Sequence, residues 1–418
     1  MCALTGSVQT AGDEGAGHPW VVTDHFSEGA SRASRKIGVS RVENPSFNQA
    51  LVLKEMIIVV QSVRGPYTRE VTRLCYLVRA TLGMIPTQTL SRFINAQRRK
   101  YPDSTGELSD LIVSISLGVK LIAQMVATAG FKGLHGYSGR TNTSGDEIKK
   151  IDEEADEVLV ELLSSSDHFG LIVSEERDSV IATDAPHSGG KYVIAFDPLD
   201  GSSNIGSNIP TGTIFCIFRR KDLSRAANED DFCQAGREIV AAGYSIYGAK
   251  TSFVYSAGAG VHDFTLDPAI GEFVLTDEKI SIPPRGSIFS VNEGNTCWWG
   301  KEMQSFLQEI KDGNASSPQP YSGRYVGSLV ADFDRTIRRG GIFLYPLDSR
   351  RPQGRLRLLY ECLPLAFIME QAGGVALNGP ERLVDVVPKN IHERSAFIAG
   401  SPFEMDWFLR IVHGKSLK

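Results

Sequence analysis

The stretch Lys191-Tyr192-Val193-Ile194-Ala195-Phe196-Asp197-Pro198-Leu199-Asp200-Gly201-Ser202-Ser203-Asn204 decides how the chain reads. Its β-branched and aromatic first half predicts a strand over Tyr192 to Phe196. That strand delivers Asp197 to its end, and Pro198 to Asn204 reads as a tight turn. Two carboxylates on a stiff turn, Asp197 and Asp200, can converge on a hard cation through oxygen. The small residues Gly201, Ser202 and Ser203 let backbone N–H groups come close to an anion. Metal-holding carboxylates beside an anion cradle suit phosphoryl transfer to water. An Asx-rich turn is the better reading of a bare D-x-x-D, but not of the whole run.

Further acidic positions lie on either side. A strand over Gly170 to Val173 leads into Glu175-Glu176, where one carboxylate can serve a metal and the other a water. Ser144 to Glu147 reads as a capping box opening a helix to about Leu163, with Ile148, Ile151, Val158, Leu159 and Leu162 on its apolar side. Asp146 and Asp152 belong to that segment. Taken singly, a helix N-terminus accounts for Asp146 and a solvated face for Asp152. Glu361 interrupts the apolar run Leu358-Leu359-Tyr360-Glu361-Cys362, and a buried carboxylate there needs a cation. Arg324, Tyr325, Tyr345, Arg355 and Arg357 are the phosphate-binding candidates, arginine as a planar fork.

Elsewhere, strands are expected over 213–218, 238–244, 251–255, 271–276 and 342–345, and helices over 90–100, 107–129, 299–311, 363–372 and 403–412. Their alternation predicts a layered α/β (α+β) protein with a boundary near Pro283-Pro284. Residues 1 to 46 are Gly-, Ser- and Ala-rich without periodicity, and 50–60 and 71–80 are apolar enough for helices. The apolar stretch Leu111 to Gly130 carries Lys120, has helical spacing and reads as a core helix rather than a membrane span. The net charge of -5 argues against a nucleic-acid partner. None of the six cysteines forms a C-x-x-C pair, which fits free thiols in a reducing compartment. With no signal peptide or peroxisomal ending, a cytoplasmic location is expected.

Seven motifs in order resemble class I fructose-1,6-bisphosphatases: SGDEIKKID from Ser144, VSEE from Val173, DPLDGSSNI from Asp197, VNEG from Val291, RYVGSLVAD from Arg324, GGIFLYP from Gly340 and LRLLYEC from Leu356. The resemblance runs from Thr87 to the C-terminus. It implies an extension over 1–86, an AMP-type metal-loop domain over 87–282 and a substrate domain over 283–418, in a sandwich of helices and mixed sheets. It further implies magnesium or manganese held by Glu175, Asp197, Asp200, Glu361 and the Leu199 carbonyl, with Asp146 near a third, weaker position. Asp152 and Glu176 match the pair that orients and deprotonates water. Gly201, Ser202 and Arg357, with Ser203, match the cradle for the reacting 1-phosphate. Asn292, Tyr325, Tyr345 and Arg355 match the 6-phosphate and sugar site, and Arg324 an arginine reaching in from a neighbouring subunit, as in a homotetramer. Lys191, Tyr192 and Arg219, with the loop Thr105-Gly106-Glu107-Leu108-Ser109, match an AMP pocket.

Three departures stand out. Gly206 replaces an aspartate, Arg355 a lysine and Asn295 a tyrosine. The expected activity is hydrolysis of fructose 1,6-bisphosphate. A sedoheptulose-bisphosphate preference and a catalytically weak regulatory protein are the alternatives.

Overall fold

The computed structural model describes residues 22–25, 36–39, 88–99, 105–133, 136–141, 147–183, 190–313 and 319–417. The chain forms two compact units, Met1–Leu82 and Gly83–Lys418. In the first, β1 (Val22–His25) and β2 (Lys36–Val39) pair antiparallel. The helices expected over 50–60 and 71–80 lie outside the described residues.

The second unit opens with α1 (Leu90–Arg98) and α2 (Glu107–Lys132). A short pair, β3 (Tyr137–Thr141) and β4 (Glu147–Lys149), precedes α3 (Lys150–Ser164). The expected capping box does not open that helix: Glu147 and Ile148 are in β4, and Ser144 lies outside the described residues. Helical hydrogen bonding starts only where β4 stops competing for the backbone, and the carboxylate of Asp152 caps the new end by accepting the Lys149 N–H at 3.1 Å.

Eight strands then build the main sheet: β5 (Phe169–Ser174), β6 (Ile181–Ala182), β7 (Tyr192–Asp200), β8 (Thr211–Arg219), β9 (Ile239–Tyr247), β10 (Thr251–Ser256), β11 (Val261–Asp267) and β12 (Glu272–Ile280). Their order is β12-β11-β10-β9-β8-β7-β5-β6. Only β5 and β7 run parallel; the other neighbours are antiparallel. Beyond them come β13 (Ile288–Ser290), α4 (Lys301–Asp312), β14 (Ser322–Gly323), α5 (Leu329–Arg339), β15 (Ile342–Tyr345), β16 (Leu356–Arg357), α6 (Leu363–Gln371), β17 (Val375–Leu377), β18 (Arg394–Ser395), β19 (Phe397–Gly400) and α7 (Pro402–His413). A second sheet has the order β14-β13-β15-β19-β17.

Three apolar cores stack these elements into layers. Ile194 and Phe196 of β7 pack with Leu111, Ile115 and Leu159 of α2 and α3. Their alternate neighbours Val193 and Ala195 face Phe333 of α5, Ile368 of α6, and Phe343 and Phe397 of the second sheet. The far side of the second sheet packs Phe289 and Ile398 against Phe306 of α4 and Trp407 of α7. Because both faces of β7 are covered, it reads as a continuous apolar run although β8 pairs with it antiparallel.

By length and composition, α2 is apolar enough to cross a bilayer, with a hydropathy of 1.8 over an 18-residue window, yet it is the core helix that the sequence leads one to expect. Here Leu111, Ile112, Ile115, Val119, Ile122, Met125 and Ala129 are buried in the core.

Candidate active site

β7 does not end at Phe196. It runs on through Asp197-Pro198-Leu199-Asp200, paired to β8, with a register shift between Asp197 and Asp200. Pro198 has no N–H for the ladder, so the strand bulges rather than turns. Thr213 Oγ1 ties the bulge down by donating to the Pro198 carbonyl at 2.8 Å, and Asp197 Oδ1 accepts the Leu199 N–H at 2.9 Å. The reversal comes at Gly201, whose φ of 73° favours glycine, and a short 3-10 helix, Ser202–Ser207, follows.

The bulge directs Asp197 and Asp200 inward. Their carboxylate oxygens and that of Glu361 lie within 4.8 Å of one another, and all three residues are buried. Glu361 arrives from a π-helical turn, Leu358–Cys362, ahead of α6, and accepts the N–H of Arg357. Glu175, just past β5, hydrogen-bonds Asp197, and its Oε1 accepts from Arg357 Nε at 3.4 Å. Burial, then the charge of Glu175, drives Asp197 and Glu361 well above the usual carboxylate range. Asp200 is pushed up to about 7, again first by burial, although the Val330 N–H donates to it. Crowded buried carboxylates that outnumber the neighbouring guanidinium groups of Arg357 and Arg355 call for a further cation, since bare buried charge costs several kcal/mol. The donors are all oxygen, with no imidazole or thiolate in the group, which fits a hard ion such as magnesium or manganese.

Beside this cluster lie the expected water-handling residues. Asp152 is not on a solvated face: it is 4% exposed, and its Oδ2 accepts from Ser202 Oγ at 2.9 Å, joining α3 to the glycine turn. Lys149 Nζ reinforces the junction by donating to the Ser202 carbonyl at 3.0 Å. Burial pushes Asp152 up to about 6. Glu176 is pushed up to about 8 by burial and then by Asp152, Glu175 and Asp156. Asp156 was not anticipated. It sits one helical turn beyond Asp152, is 4% exposed and pairs with Arg177 at 2.6 Å. The i,i+4 spacing of the two aspartates was the available signal.

A pocket in the second half of the unit is lined by Asn292, Asn295, Tyr345, Arg350, Arg351 and Arg355, among others. Tyr325 and Tyr345 bring their hydroxyls within 3.2 Å. The charge of Arg355 acts on both Tyr345 and Asp200, so it links pocket and carboxylate cluster. Asp332, also unanticipated, is fully buried and holds the loop that carries Tyr325. It accepts from the N–H groups of Val326 and Gly327 at 3.1 and 2.9 Å and from Ser290 Oγ at 2.8 Å. The Gly327 carbonyl in turn accepts from Asn204 Nδ2 at 3.0 Å, binding that loop to the glycine turn. Arg324 is exposed and donates to the adjacent Gly323 carbonyl, and Ser203 is exposed on the 3-10 helix. Asp146 lies outside the described residues. A Cβ added at Gly206 meets nothing within 4 Å, so space does not demand a glycine there.

The residues matched to an AMP pocket also meet. Glu107, in the first turn of α2, pairs with Lys191 at 2.6 Å and hydrogen-bonds Thr105; these contacts with Lys191 lead in holding its carboxyl below the usual range. Tyr192 and Arg219 face each other across β7 and β8. Gly106 starts α2 at φ 92°, and Ser109 follows half-buried in its first turn.

The family described as fructose-1-6-bisphosphatase, N-terminal domain, matches residues 88–278, and its C-terminal domain matches 282–413. The chain is 45% identical over 314 residues to a fructose-1,6-bisphosphatase class 1 of Chlorobium chlorochromatii, covering 75% of this chain and 94% of that protein. It is 44% identical over 330 residues to the Sorangium cellulosum class 1 protein, covering 78% and 94%. The crystal structure of Leishmania major fructose-1,6-bisphosphatase in holo form superposes with a TM-score of 0.73 at 37% identity, covering 78% of this chain and 98% of that one. With two matched domains and this breadth of identity, the chain belongs to the fructose-1,6-bisphosphatase class 1 family.

Proposed function

We propose that the protein hydrolyses the 1-phosphate of fructose 1,6-bisphosphate in a divalent-metal-dependent reaction, yielding fructose 6-phosphate and phosphate. The observation that carries this reading is the buried trio Asp197, Asp200 and Glu361 beside Arg357 and the turn at Gly201.

In the proposed mechanism Asp197, Asp200, Glu361 and Glu175, with the Leu199 carbonyl, hold magnesium or manganese. Bound there, the ion supplies Lewis acidity toward the phosphoryl oxygens and lowers the pKa of water. Gly201, Ser202 and Ser203 offer donors to the reacting phosphate, and Arg357 adds a planar guanidinium where charge accumulates in the transition state. Asp152 orients the attacking water from its anchored position against Ser202. Glu176, whose burial favours the protonated form, is suited to take the water's proton. Asn292, Tyr325, Tyr345 and Arg355 bind the sugar and the 6-phosphate. We assign the metal loop and the water-handling pair to a domain over 87–282, and the sugar and 6-phosphate site to a domain over 283–418, which also contributes Glu361 and Arg357 to the metal and phosphate group. The test is phosphate release by the purified protein with fructose and sedoheptulose bisphosphates. Magnesium-dependent release, faster with the fructose substrate, is expected; release that persists in excess chelator would overturn the metal role.

On the same reading the enzyme works in the cytoplasm as a homotetramer, with Arg324 serving a neighbouring subunit's site. A monomer mass by light scattering would remove that role from Arg324. AMP binding at the start of α2 is supported by the first-turn N–H groups that a helix N-terminus presents and by Lys191, Tyr192 and Arg219 nearby. AMP is expected to inhibit the wild-type enzyme and to lose potency about tenfold in Arg219→Ala, as loss of one charge-assisted contact implies. Full activity at saturating AMP would contradict it.

A further inference from the structure

We infer that Arg350 is a specificity-determining residue, a prepositioned guanidinium that receives the substrate's far phosphate. This rests on the reading above, in which the pocket between Asn292 and Arg355 takes the phosphate that is not cleaved. Arg350 lines that pocket, together with Arg351 and Arg355. It is held from three sides. Its guanidinium lies over the Trp298 ring at 3.4 Å from the centroid. Its Nη2 donates to Asn295 Oδ1 at 2.9 Å and to Asp348 Oδ2 at 3.4 Å. Asp348 also accepts the N–H groups of Arg350 and Arg351, at 2.8 and 3.0 Å, which fixes the turn from which both arginines project. The Ser349 N–H donates to the Trp298 carbonyl at 3.0 Å, binding the same turn to the aromatic shelf.

This arrangement does two things for an anion. Both of these hydrogen bonds use Nη2, so among the described residues the Nε and Nη1 hydrogens of Arg350 have no acceptor and are available to phosphate oxygens. A loose arginine would lose rotamer freedom on binding, and here stacking and Asn295 have already removed much of it. Asn295 thus acquires a role: standing where the family places a tyrosine, it positions an arginine instead of offering a hydroxyl. Three arginines against one neighbouring carboxylate, Asp348, make the pocket select a dianion.

The experiment compares wild type with Arg350→Gln by calorimetry, titrating fructose 6-phosphate, which carries only the far phosphate, and fructose 1-phosphate, which carries only the reacting one. Binding of fructose 6-phosphate is expected to weaken about tenfold, the size of one lost charge-assisted contact, with fructose 1-phosphate unchanged. In turnover, KM for the bisphosphate should rise by a similar factor with kcat nearly constant. Arg350→Lys should recover only part of the affinity, because an ammonium neither stacks nor forks. Equal weakening toward both monophosphates would make Arg350 a structural anchor and overturn the inference, as would unchanged binding of fructose 6-phosphate. The binding readout does not require turnover. A protein that binds fructose 6-phosphate through Arg350 but releases no phosphate would refute the proposed activity and leave this assignment standing.

Discussion

Asp200→Asn is expected to lower magnesium-dependent phosphate release by on the order of a thousandfold while making the metal-free protein more stable. Both effects follow from one buried charge. Asp200 meets Asp197 and Glu361 oxygens within 4.8 Å, so an amide there removes an anionic ligand from the centre of the group. Losing one preorganised electrostatic group from such a site costs roughly a hundredfold to a thousandfold in rate. The amide oxygen can still accept the Val330 N–H that Asp200 Oδ2 accepts at 3.2 Å, so the start of α5 keeps its contact. Without metal, burial holds Asp200 up to about 7, and replacing its carboxylate with a neutral group relieves that penalty at pH 8. Thermal melting in chelator and phosphate release in magnesium read the two effects separately. A variant that keeps wild-type release, or that melts earlier than wild type in chelator at pH 8, would contradict the assigned role.

The metal-free wild type is expected to lose stability as pH rises from about 4 to about 8, the reverse of ordinary acid denaturation. Asp152 is pushed up to about 6, Asp200 to about 7 and Glu176 to about 8, and Asp197 and Glu361 are raised well above the usual range. Raised folded pKa values mean that the folded state binds more protons than the unfolded chain between the two values. Stability is therefore fully present below the unfolded pKa values and is lost as pH passes through the folded ones. For Asp152 alone, a shift from 3.8 to about 6 corresponds to about 3 kcal/mol. Magnesium competes with those protons, so its stabilisation should grow with pH. At a hundred times its dissociation constant it contributes about 2.7 kcal/mol, a rise of about 4 °C in melting temperature. Calorimetric scans at pH 5.5 and pH 8, with magnesium and with chelator, check this. A larger magnesium shift at pH 5.5 than at pH 8 would mean that these carboxylates do not hold the ion.

The N-terminal end of α3 shows where local reading fails. Ser144 to Glu147 has the right letters for a capping box, yet Glu147 and Ile148 pair in β4 and the helix is capped by Asp152. The letters carry no record of β3, which competes for the same backbone. The turn expected after Phe196 fails similarly. Pro198 and Leu199 remain within β7 because Thr213, from the neighbouring strand, holds the bulge in place. Asp156, Asp332 and Arg350 escaped notice for a related reason: their partners Arg177, Ser290 and Trp298 are assembled around them only by the fold or by local turns.

By itself, the sequence determined which residue types are present for phosphate chemistry and on which kinds of element they lie. Side-chain periodicity is local, so the strands on either side of Asp197 and the core faces of the helices were legible, and seven ordered motifs identified the family. The resemblance already grouped Asp197, Asp200, Glu361 and Glu175; only the tertiary structure decided how deeply they are buried and how strongly they act on one another. Asp197, Asp200 and Glu361 come from two distant segments, and Glu175 from a third. Their raised pKa values depend on burial and mutual distance, quantities set by how β7, α6 and the end of β5 pack together. The same packing turned the motif around Asp197 from a surface turn into a bulge inside a sheet, which is why its two aspartates point into a common site.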